Sequence, residues 1–309
     1  MNIYSSTLAN KGDTKMKKIL ALTLALVMVF ALCACGQKAA PAEAPAAEAP
    51  AEAPAEAAAE EAGLSTVVPG VLTVATSPDF APYEFYAIDG DGNPQLAGFD
   101  VAIAGYIADY LGLKLDIIPM DFDGVLAELA AGTVDLGLAG LSPDPSREDA
   151  MDFSIIYYQG GQSFVTVQDK AALFTSLDDA NKAEYSIGAQ NGSIQKDLAD
   201  EYTPDADIVV LTKVTDIIAE LINDKLDGAF IETAVALSYA QNYPELAVIL
   251  DVPYDVEGSA VGVCKGNAEL LAAVNAAIQA ALDDGSMDKF VAEANELAGG
   301  EIFEGLLDG

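Results

Sequence analysis

The sequence predicts an α/β fold built from two similar lobes, each a mainly parallel sheet flanked by helices. From Val71 onward, short apolar runs alternate with amphipathic stretches, which is the βαβ order typical of parallel sheets covered by helices. The region from Ser65 to Gly309 is long enough for two lobes. An internal repeat, Gly124–Gly140 against Asp216–Glu232, favours two lobes over a single large sheet.

The elements follow in a regular order. Short apolar runs predict strands, and stretches with apolar residues three and four apart predict helices. The predicted strands are Val71–Ala75, Lys114–Ile118, Leu136–Leu141, Ser186–Gln190, Ile208–Leu211 and Gly228–Ile231, and the predicted helices are Phe99–Leu111, Val125–Ala131, Ser193–Tyr202 and Thr215–Lys225. Asp-Gly and Gly-Asn pairs in Asp89–Asn93 predict a hairpin. A calcium loop is the alternative, but Pro94 stands where that loop needs glycine.

The repeat aligns without gaps and predicts a helix, a tight turn and a strand in each copy. Asp135 falls on Asp227, and Gly140 falls on Glu232. Gly140 and Glu232 therefore lie at carboxyl ends of strands, where open α/β sheets bind ligands. The alternative is chance similarity between two helix–strand units.

The first 64 residues are predicted to lie outside the fold. Residues 1–35 contain a signal peptide that starts at Met16, with an apolar core and a lipobox whose lipidated cysteine is Cys35. An uncleaved membrane anchor is the alternative. Residues 36–64 form an Ala/Pro/Glu tract without apolar periodicity, which predicts a disordered linker. The protein is thus expected outside the cytoplasm, lipid-anchored to the cell membrane.

Composition excludes several classes of function. The net charge of −35 argues against nucleic acid and against an anionic membrane surface. The absence of histidine, with Cys264 alone in the folded region, argues against zinc and against Ser/His or Cys/His catalysis. Acidic residues near the predicted strand ends could supply a general acid and base, but no second catalytic motif accompanies them: Asp121, Asp123, Glu128 and Glu232. No catalytic residue, metal or cofactor is predicted.

The single arginine, Arg147, marks a candidate binding site. It lies just after an apolar run, in a chain that otherwise uses lysine for positive charge. A guanidinium binds a carboxylate through two parallel hydrogen bonds, which lysine cannot reproduce. A surface ion pair with Glu148, Asp149 or Asp152 is the alternative.

From about Leu72 to Phe290 the chain resembles the extracytoplasmic solute-binding proteins of polar amino-acid ABC transporters, bacterial solute-binding protein family 3. The matching segments appear in the family's order: SPDFAPYEF (77–85), LAGFDVAIAGYIADYLG (96–112), MDFDGVLAELAAGTVDLGLAGLSPDPSREDAMDFS (120–154), YYQGGQSFV (157–165), IGAQNGSIQ (187–195) and DGAFIETAVA (227–236). The resemblance implies the periplasmic-binding-protein-like (Venus flytrap) fold with two hinge crossings. The first lobe would comprise residues 65–160 plus 261–309, and the second residues 162–259.

The resemblance also implies a set of ligand-binding residues. Arg147 would bind the α-carboxylate together with Ser142 and the amides of Ser193 and Ile194. The Gly140 carbonyl and Glu232 would bind the ammonium, with Glu232 in place of the family's usual aspartate. Aromatic and polar side chains would contact the rest of the ligand: Phe80, Phe122, Ser77, Asp79, Gln190 and Gln195. The alternatives are helix capping for Ser193 and Glu232 and core packing for the two phenylalanines.

The resemblance implies a monomer that captures an extracellular amino acid between its lobes and delivers it to an ABC permease and its ATPase. The strong negative charge favours a neutral polar or basic amino acid. An extracytoplasmic sensor and a cyclohexadienyl or arogenate dehydratase on the same fold are the alternatives.

Overall fold

The computed structural model describes residues 64–256 and 258–300. The predicted signal peptide with Cys35, the predicted linker up to residue 63, and residues 301–309 of the predicted first lobe lie outside the described residues. Within the described ranges, no helix is both long enough and apolar enough to cross a bilayer.

The described residues form thirteen strands and eight α-helices. The strands are β1 Val71–Thr76, β2 Asp79–Phe80, β3 Glu84–Ile88, β4 Pro94–Ala97, β5 Lys114–Pro119, β6 Leu136–Gly137, β7 Met151–Tyr158, β8 Gln162–Val167, β9 Ser186–Gln190, β10 Asp207–Leu211, β11 Gly228–Glu232, β12 Leu246–Val252 and β13 Ser259–Cys264. The helices are α1 Phe99–Leu111, α2 Phe122–Ala131, α3 Leu177–Ala180, α4 Ile194–Tyr202, α5 Val214–Ile222, α6 Thr233–Asn242, α7 Ala268–Asp283 and α8 Ser286–Ala298.

The strands β2, β3 and β4 form a small antiparallel sheet, and the other ten strands form two similar five-stranded sheets, one for each lobe. The first has the order β5-β1-β6-β13-β7 and the second β10-β9-β11-β8-β12. The predicted parallel pairs, β1 with β5 and β6 and β9 with β10 and β11, are present. Both sheets are mixed, because β13 and β7 in the first and β8 and β12 in the second pair antiparallel. The fold is α/β, as predicted.

Two connections carry the chain between the sheets. β7 belongs to the first sheet and β8 to the second, and the chain returns from β12 to β13. β13 therefore completes the first sheet with a strand from late in the sequence. The helices α7 and α8 follow β13 and pack against α1. Because the outer boundaries of the lobes include residues beyond the described ranges, the predicted boundaries stay a prediction.

The predicted elements are present in the structure, and three of them differ from it by three residues or more at one end. Helix α2 begins at Phe122 rather than at Val125. Helix α1 and strand β9 have the predicted bounds. Strand β6 ends at Gly137 rather than at Leu141, because Gly140 has a positive φ of 57° and turns the chain. Helix α5 ends at Ile222 rather than at Lys225, and Asp224 just beyond it adopts the left-handed conformation at φ 60°. Asp89–Asn93 joins β3 and β4 as the predicted hairpin.

The internal repeat is a real structural repeat. Asp135 precedes β6, and its Oδ2 accepts a hydrogen bond from the Thr73 amide in β1 at 2.8 Å. Asp227 precedes β11, and its Oδ2 accepts one from the Ser186 amide in β9 at 3.0 Å. In each lobe, an aspartate thus fixes the start of one strand to its parallel neighbour. The two strands, β6 and β11, therefore occupy equivalent places in the two sheets.

Candidate functional site

Eight of the twelve predicted ligand-binding residues line one cleft. The cleft is narrow and is lined by Phe80, Phe122, Ala139, Gly140, Ser142, Arg147, Gln190, Ile194 and Gln195. Phe80 lies in β2 and Phe122 in α2, and the lining residues from Ala139 to Arg147 follow β6 of the first sheet. Gln190 ends β9 of the second sheet, and Ile194 and Gln195 begin α4. The cleft therefore lies between the two lobes at carboxyl ends of parallel strands, where the repeat predicted a site.

Arg147 points into this cleft and not toward a surface carboxylate. It ends a single 3₁₀ turn, Pro145–Arg147, whose N-cap Asp144 accepts a hydrogen bond from the Ser146 amide. Its Nη2 donates to the Gly192 carbonyl at 3.1 Å, and its Nη1 lies 3.4 Å from the Ser142 carbonyl. The guanidinium also lies 5.8 Å from the centre of the Phe122 ring.

The guanidinium of Arg147 has no carboxylate partner among the described residues. None of the ion pairs found there involves Arg147, and Asp152, one alternative partner, pairs with Lys265 at 2.7 Å. Burial lowers the pKa of Arg147, and Tyr254 and Asp144 oppose that shift. The residue stays charged, and a guanidinium has five N–H donors, so the two carbonyl contacts leave donors that an anion could use.

Gly140 is fixed from behind by a buried carboxylate. Its amide donates to Asp100 Oδ2 at 3.0 Å, and the Tyr157 hydroxyl donates to Asp100 Oδ1 at 2.6 Å. Burial raises the pKa of Asp100 to about 6, although both donors oppose that rise. A Cβ on Gly140 would lie 2.7 Å from Phe80 Cε1, so only glycine lets this ring close against the strand end.

Asp100 is a positioning residue that the sequence reasoning missed. It lies in the first turn of α1, where a charged residue usually faces solvent, yet it is completely buried. The signal available in the sequence was its place between Phe99 and Val101 in an otherwise apolar helix face. Ala139 also lines the cleft and was missed, because a small apolar residue carries no chemical signal.

On the second lobe, Ser193 caps a helix beside the cleft. Its Oγ accepts a hydrogen bond from the Lys196 amide at 3.2 Å and donates to the Gln190 carbonyl at 2.8 Å. Ser193 is buried and does not line the cleft, whereas Ile194 and Gln195 do. Binding of a ligand carboxylate by the Ser193 amide stays a prediction. The Ser193 side chain caps α4, as the alternative predicted.

Glu232 also caps a helix and does not line the cleft. Its Oε2 accepts a hydrogen bond from the Val235 amide at 2.9 Å, which caps α6. Its Oε1 is buried without a hydrogen-bond partner, on the side facing Gly160 and Tyr83. Burial raises the pKa of Glu232 to about 7 against its hydrogen bonds. Its predicted ammonium contact stays a prediction.

Ser77 and Asp79 are the other two predicted residues outside the cleft lining. The Ser77 hydroxyl donates to Asp79 Oδ1 at 3.0 Å, and Asp79 Oδ2 accepts a hydrogen bond from the Val214 amide at 2.6 Å. Asp79 lies behind Gln190, whose Nε2 is 3.5 Å from the same oxygen. These contacts place the side chain of Gln190 between Asp79 and the cleft.

Among the described residues, no group of three or more metal-ligating side chains could hold a metal ion. Glu84, in β3, is fully buried with neither carboxylate oxygen hydrogen-bonded, and burial and Asp100 raise its pKa well above the ordinary value. Glu84 does not line the cleft, so it is not among the groups that the cleft offers to a ligand. The charged group that the cleft itself offers is therefore the guanidinium of Arg147.

The chain is similar to several known proteins. The chain is 30% identical over 278 residues to the arginine-binding extracellular protein ArtP of Bacillus subtilis, covering 89% of this chain and 96% of that protein. It is 27% identical over 187 residues to the cyclohexadienyl dehydratase of Pseudomonas aeruginosa, covering 60% of this chain and 68% of that protein.

Solved structures show the same similarity. A crystal structure of an amino acid ABC transporter substrate-binding protein, AbpA from Streptococcus pneumoniae with bound L-arginine, superposes with a TM-score of 0.72 and 33% identity, covering 75% of this chain and 97% of that one. Residues 72–294 match the family model of the bacterial extracellular solute-binding proteins, family 3. This match covers most of the chain, and so the protein belongs to the bacterial extracellular solute-binding proteins of family 3.

Proposed function

We propose that this protein captures a free polar α-amino acid between its two lobes and delivers it to an ABC permease driven by an ATPase. The observation that carries the proposal is the guanidinium of Arg147, which lines the interlobe cleft without a carboxylate partner among the described residues. An amino acid brings the missing anion as its α-carboxylate. Relatives named for arginine binding and a neighbour structure with bound L-arginine support the same ligand class.

The ligand acts as a bridge between the lobes. Arg147 and Ser142 bind the carboxylate from the first lobe, together with amides at the start of α4, where the helix dipole favours an anion. The Gly140 carbonyl and Glu232 bind the ammonium. Closure is favoured by the contacts that the open form lacks, so binding energy drives the conformational change. A few charge-assisted hydrogen bonds, worth about 1.5–3 kcal/mol each, suffice to shift such an equilibrium.

The side chain of the ligand is polar, and either neutral or basic. Two amides, Gln190 and Gln195, line the cleft, and the faces of Phe80 and Phe122 attract a cation or a planar polar group. Asp79 lies directly behind Gln190, within one side chain of the ligand. We propose arginine, glutamine and histidine as the first candidates, with the protein acting as a monomer anchored to the membrane through a lipid on Cys35.

A thermal-shift screen with the twenty amino acids tests the proposal. We expect one or a few polar L-amino acids to raise the melting temperature and to be recovered unchanged, because the ligand binds only the folded form. If no amino acid shifts the melting temperature, the proposal fails.

An enzyme is the second candidate function. It is favoured by the similarity to a cyclohexadienyl dehydratase and by Glu232, a buried carboxyl whose pKa of about 7 suits a general acid. Incubation with prephenate or arogenate separates the two functions, since a dehydratase forms product and a receptor does not. Transport and sensing are separated by the neighbouring genes, because a transport receptor is expected beside a permease and an ATPase.

A further inference from the structure

One helix of the second lobe lacks a cap of its own. Helices α4 and α6 are capped by their own N-cap side chains, Ser193 and Glu232. The N-cap residue of α5 is Lys213, which makes no capping hydrogen bond and carries no acceptor. The first amides of a helix need acceptors, and a helix start buried between lobes cannot rely on bulk water.

The missing acceptor comes from the other lobe. Asp79, in β2, accepts a hydrogen bond on Oδ2 from the amide of Val214, the first residue of α5, at 2.6 Å. The Tyr239 hydroxyl of α6 donates to the Asp79 carbonyl at 3.0 Å. Asp79 and Val214 are both almost fully buried in this arrangement. Opening of the cleft would separate Asp79 from α5 and expose both to water.

We propose that Asp79 is a latch that caps helix α5 only when the lobes are closed, and so sets the closure equilibrium without contacting the ligand. This role rests on the proposed closure of the lobes around an amino acid. It gives Asp79 a different task from the ligand contact predicted from the sequence, and it accounts for the absence of Asp79 from the cleft lining.

The strength of such a latch is limited by desolvation. Closure removes the Asp79 carboxylate from water, and the resulting burial raises its pKa to about 6, against the hydrogen bonds from Val214 and Ser77. The gain from capping and the cost of burial oppose each other. A latch of this kind leaves the ligand-free protein able to open, and the added contacts of the ligand decide the closed state.

The latch also connects to the ligand site. The side chain of Gln190 lines the cleft, and its Nε2 donates to the Thr212 carbonyl at 3.1 Å and lies 3.5 Å from Asp79 Oδ2. Gln190 therefore bridges the cleft, the loop before α5 and the latch. A ligand that orders Gln190 stabilises the latch, and a formed latch orders Gln190 for the ligand.

Two substitutions of Val214 isolate the latch from packing. Val214→Pro removes the amide hydrogen that Asp79 accepts, at the first helical position, where proline is favourable. Lys213 already has the extended conformation that a following proline requires, with φ −115° and ψ 143°. Val214→Ala loses similar packing but keeps the amide, and so serves as the matched control.

The first measurement follows amide hydrogen exchange by NMR in the full chain, with and without L-arginine. We expect the Val214 amide to exchange about tenfold faster in Asp79→Ala than in the wild type, as for loss of an N-cap worth somewhat over 1 kcal/mol. Amides of β9 and β11 should be unchanged. The control is Asp123→Ala, which removes an exposed carboxylate that also bridges the lobes, through Asn191 at 2.9 Å. Equal Val214 exchange in wild type and Asp79→Ala, or acceleration throughout the second lobe, would overturn the latch.

The second measurement is the affinity for L-arginine by titration calorimetry. We expect Val214→Pro to bind about tenfold more weakly than Val214→Ala, and the two to bind equally once Asp79 is replaced by alanine. Equal affinities of the two variants with Asp79 present would reject the latch. If the wild type does not bind L-arginine but the exchange effect is found, the latch stands and the proposed ligand is wrong.

Discussion

The substitution Arg147→Ala removes the cation of the cleft. In the described structure its guanidinium makes one hydrogen bond of 3.1 Å to the Gly192 carbonyl and a longer one of 3.4 Å to that of Ser142. Both are contacts to neutral groups, which a bound carboxylate would supplement with two charge-assisted hydrogen bonds of about 1.5–3 kcal/mol each. Arg147 is partly exposed, so solvent screening keeps the net loss at the lower end of this sum, about 3 kcal/mol.

This loss corresponds to at least about a hundredfold weaker binding of the amino acid, measured by titration calorimetry. Arg147→Lys should fall between the wild type and the alanine variant, because lysine keeps the charge but not the bidentate geometry. Lys265→Ala is the control, since it changes the net charge equally but removes a cation that pairs with Asp152 away from the cleft. Wild-type affinity in Arg147→Ala would refute the carboxylate clamp.

Three further predictions concern Glu232, Gly140 and Asp135. Glu232→Gln should weaken amino-acid binding yet stabilise the ligand-free protein as pH rises. The folded pKa of Glu232, about 7, exceeds the ordinary 4.5, so the wild type loses about 3 kcal/mol of its free energy of unfolding between these pH values and the variant does not. Chemical denaturation from pH 4.5 to 7.5 should therefore show a growing difference in the free energy of unfolding between the two proteins. An unchanged gap would show that Glu232 is not a buried acid. Gly140→Ala should lower affinity at least about tenfold, because its Cβ would lie 2.7 Å from the Phe80 ring at a left-handed φ, whereas Gly105→Ala, with open space around it, should bind normally; equal affinities would contradict this. Asp135→Ala should lower the free energy of unfolding by about 2–4 kcal/mol, because the amides of Val67 and Thr73 lose their acceptor, and a loss below 1 kcal/mol would contradict the role of the repeat.

Periodicity and the internal repeat predicted the fold class, and seven of the ten elements given bounds agree with the structure to within one residue at each end. Helix α1 was predicted residue for residue, because its apolar face and the following Gly112 leave little choice. The end of β6 was missed, since the apolar run continues to Leu141 while the backbone turns at Gly140. A run of hydrophobic residues shows burial and does not show where the hydrogen-bonded ladder stops.

The candidate site was predicted in part, for a physical reason. Residues whose side chains line the cleft, such as Arg147 and Phe122, carry chemistry that is visible in the sequence. Asp79 and Asp100 act through backbone amides far away in the chain, those of Val214 and Gly140. Such partners are set by tertiary structure, so residue type alone could not distinguish a latch or a positioning residue from a ligand contact.

The central claim is that the cleft recognises the α-carboxylate of an amino acid through Arg147. The most direct test titrates the wild type with an amino acid and with the amine that lacks only this carboxylate: L-arginine against agmatine, and L-histidine against histamine. We predict that the amino acid selected by the thermal-shift screen binds at least about a hundredfold more tightly than its amine. Equal binding of the two compounds would contradict the claim.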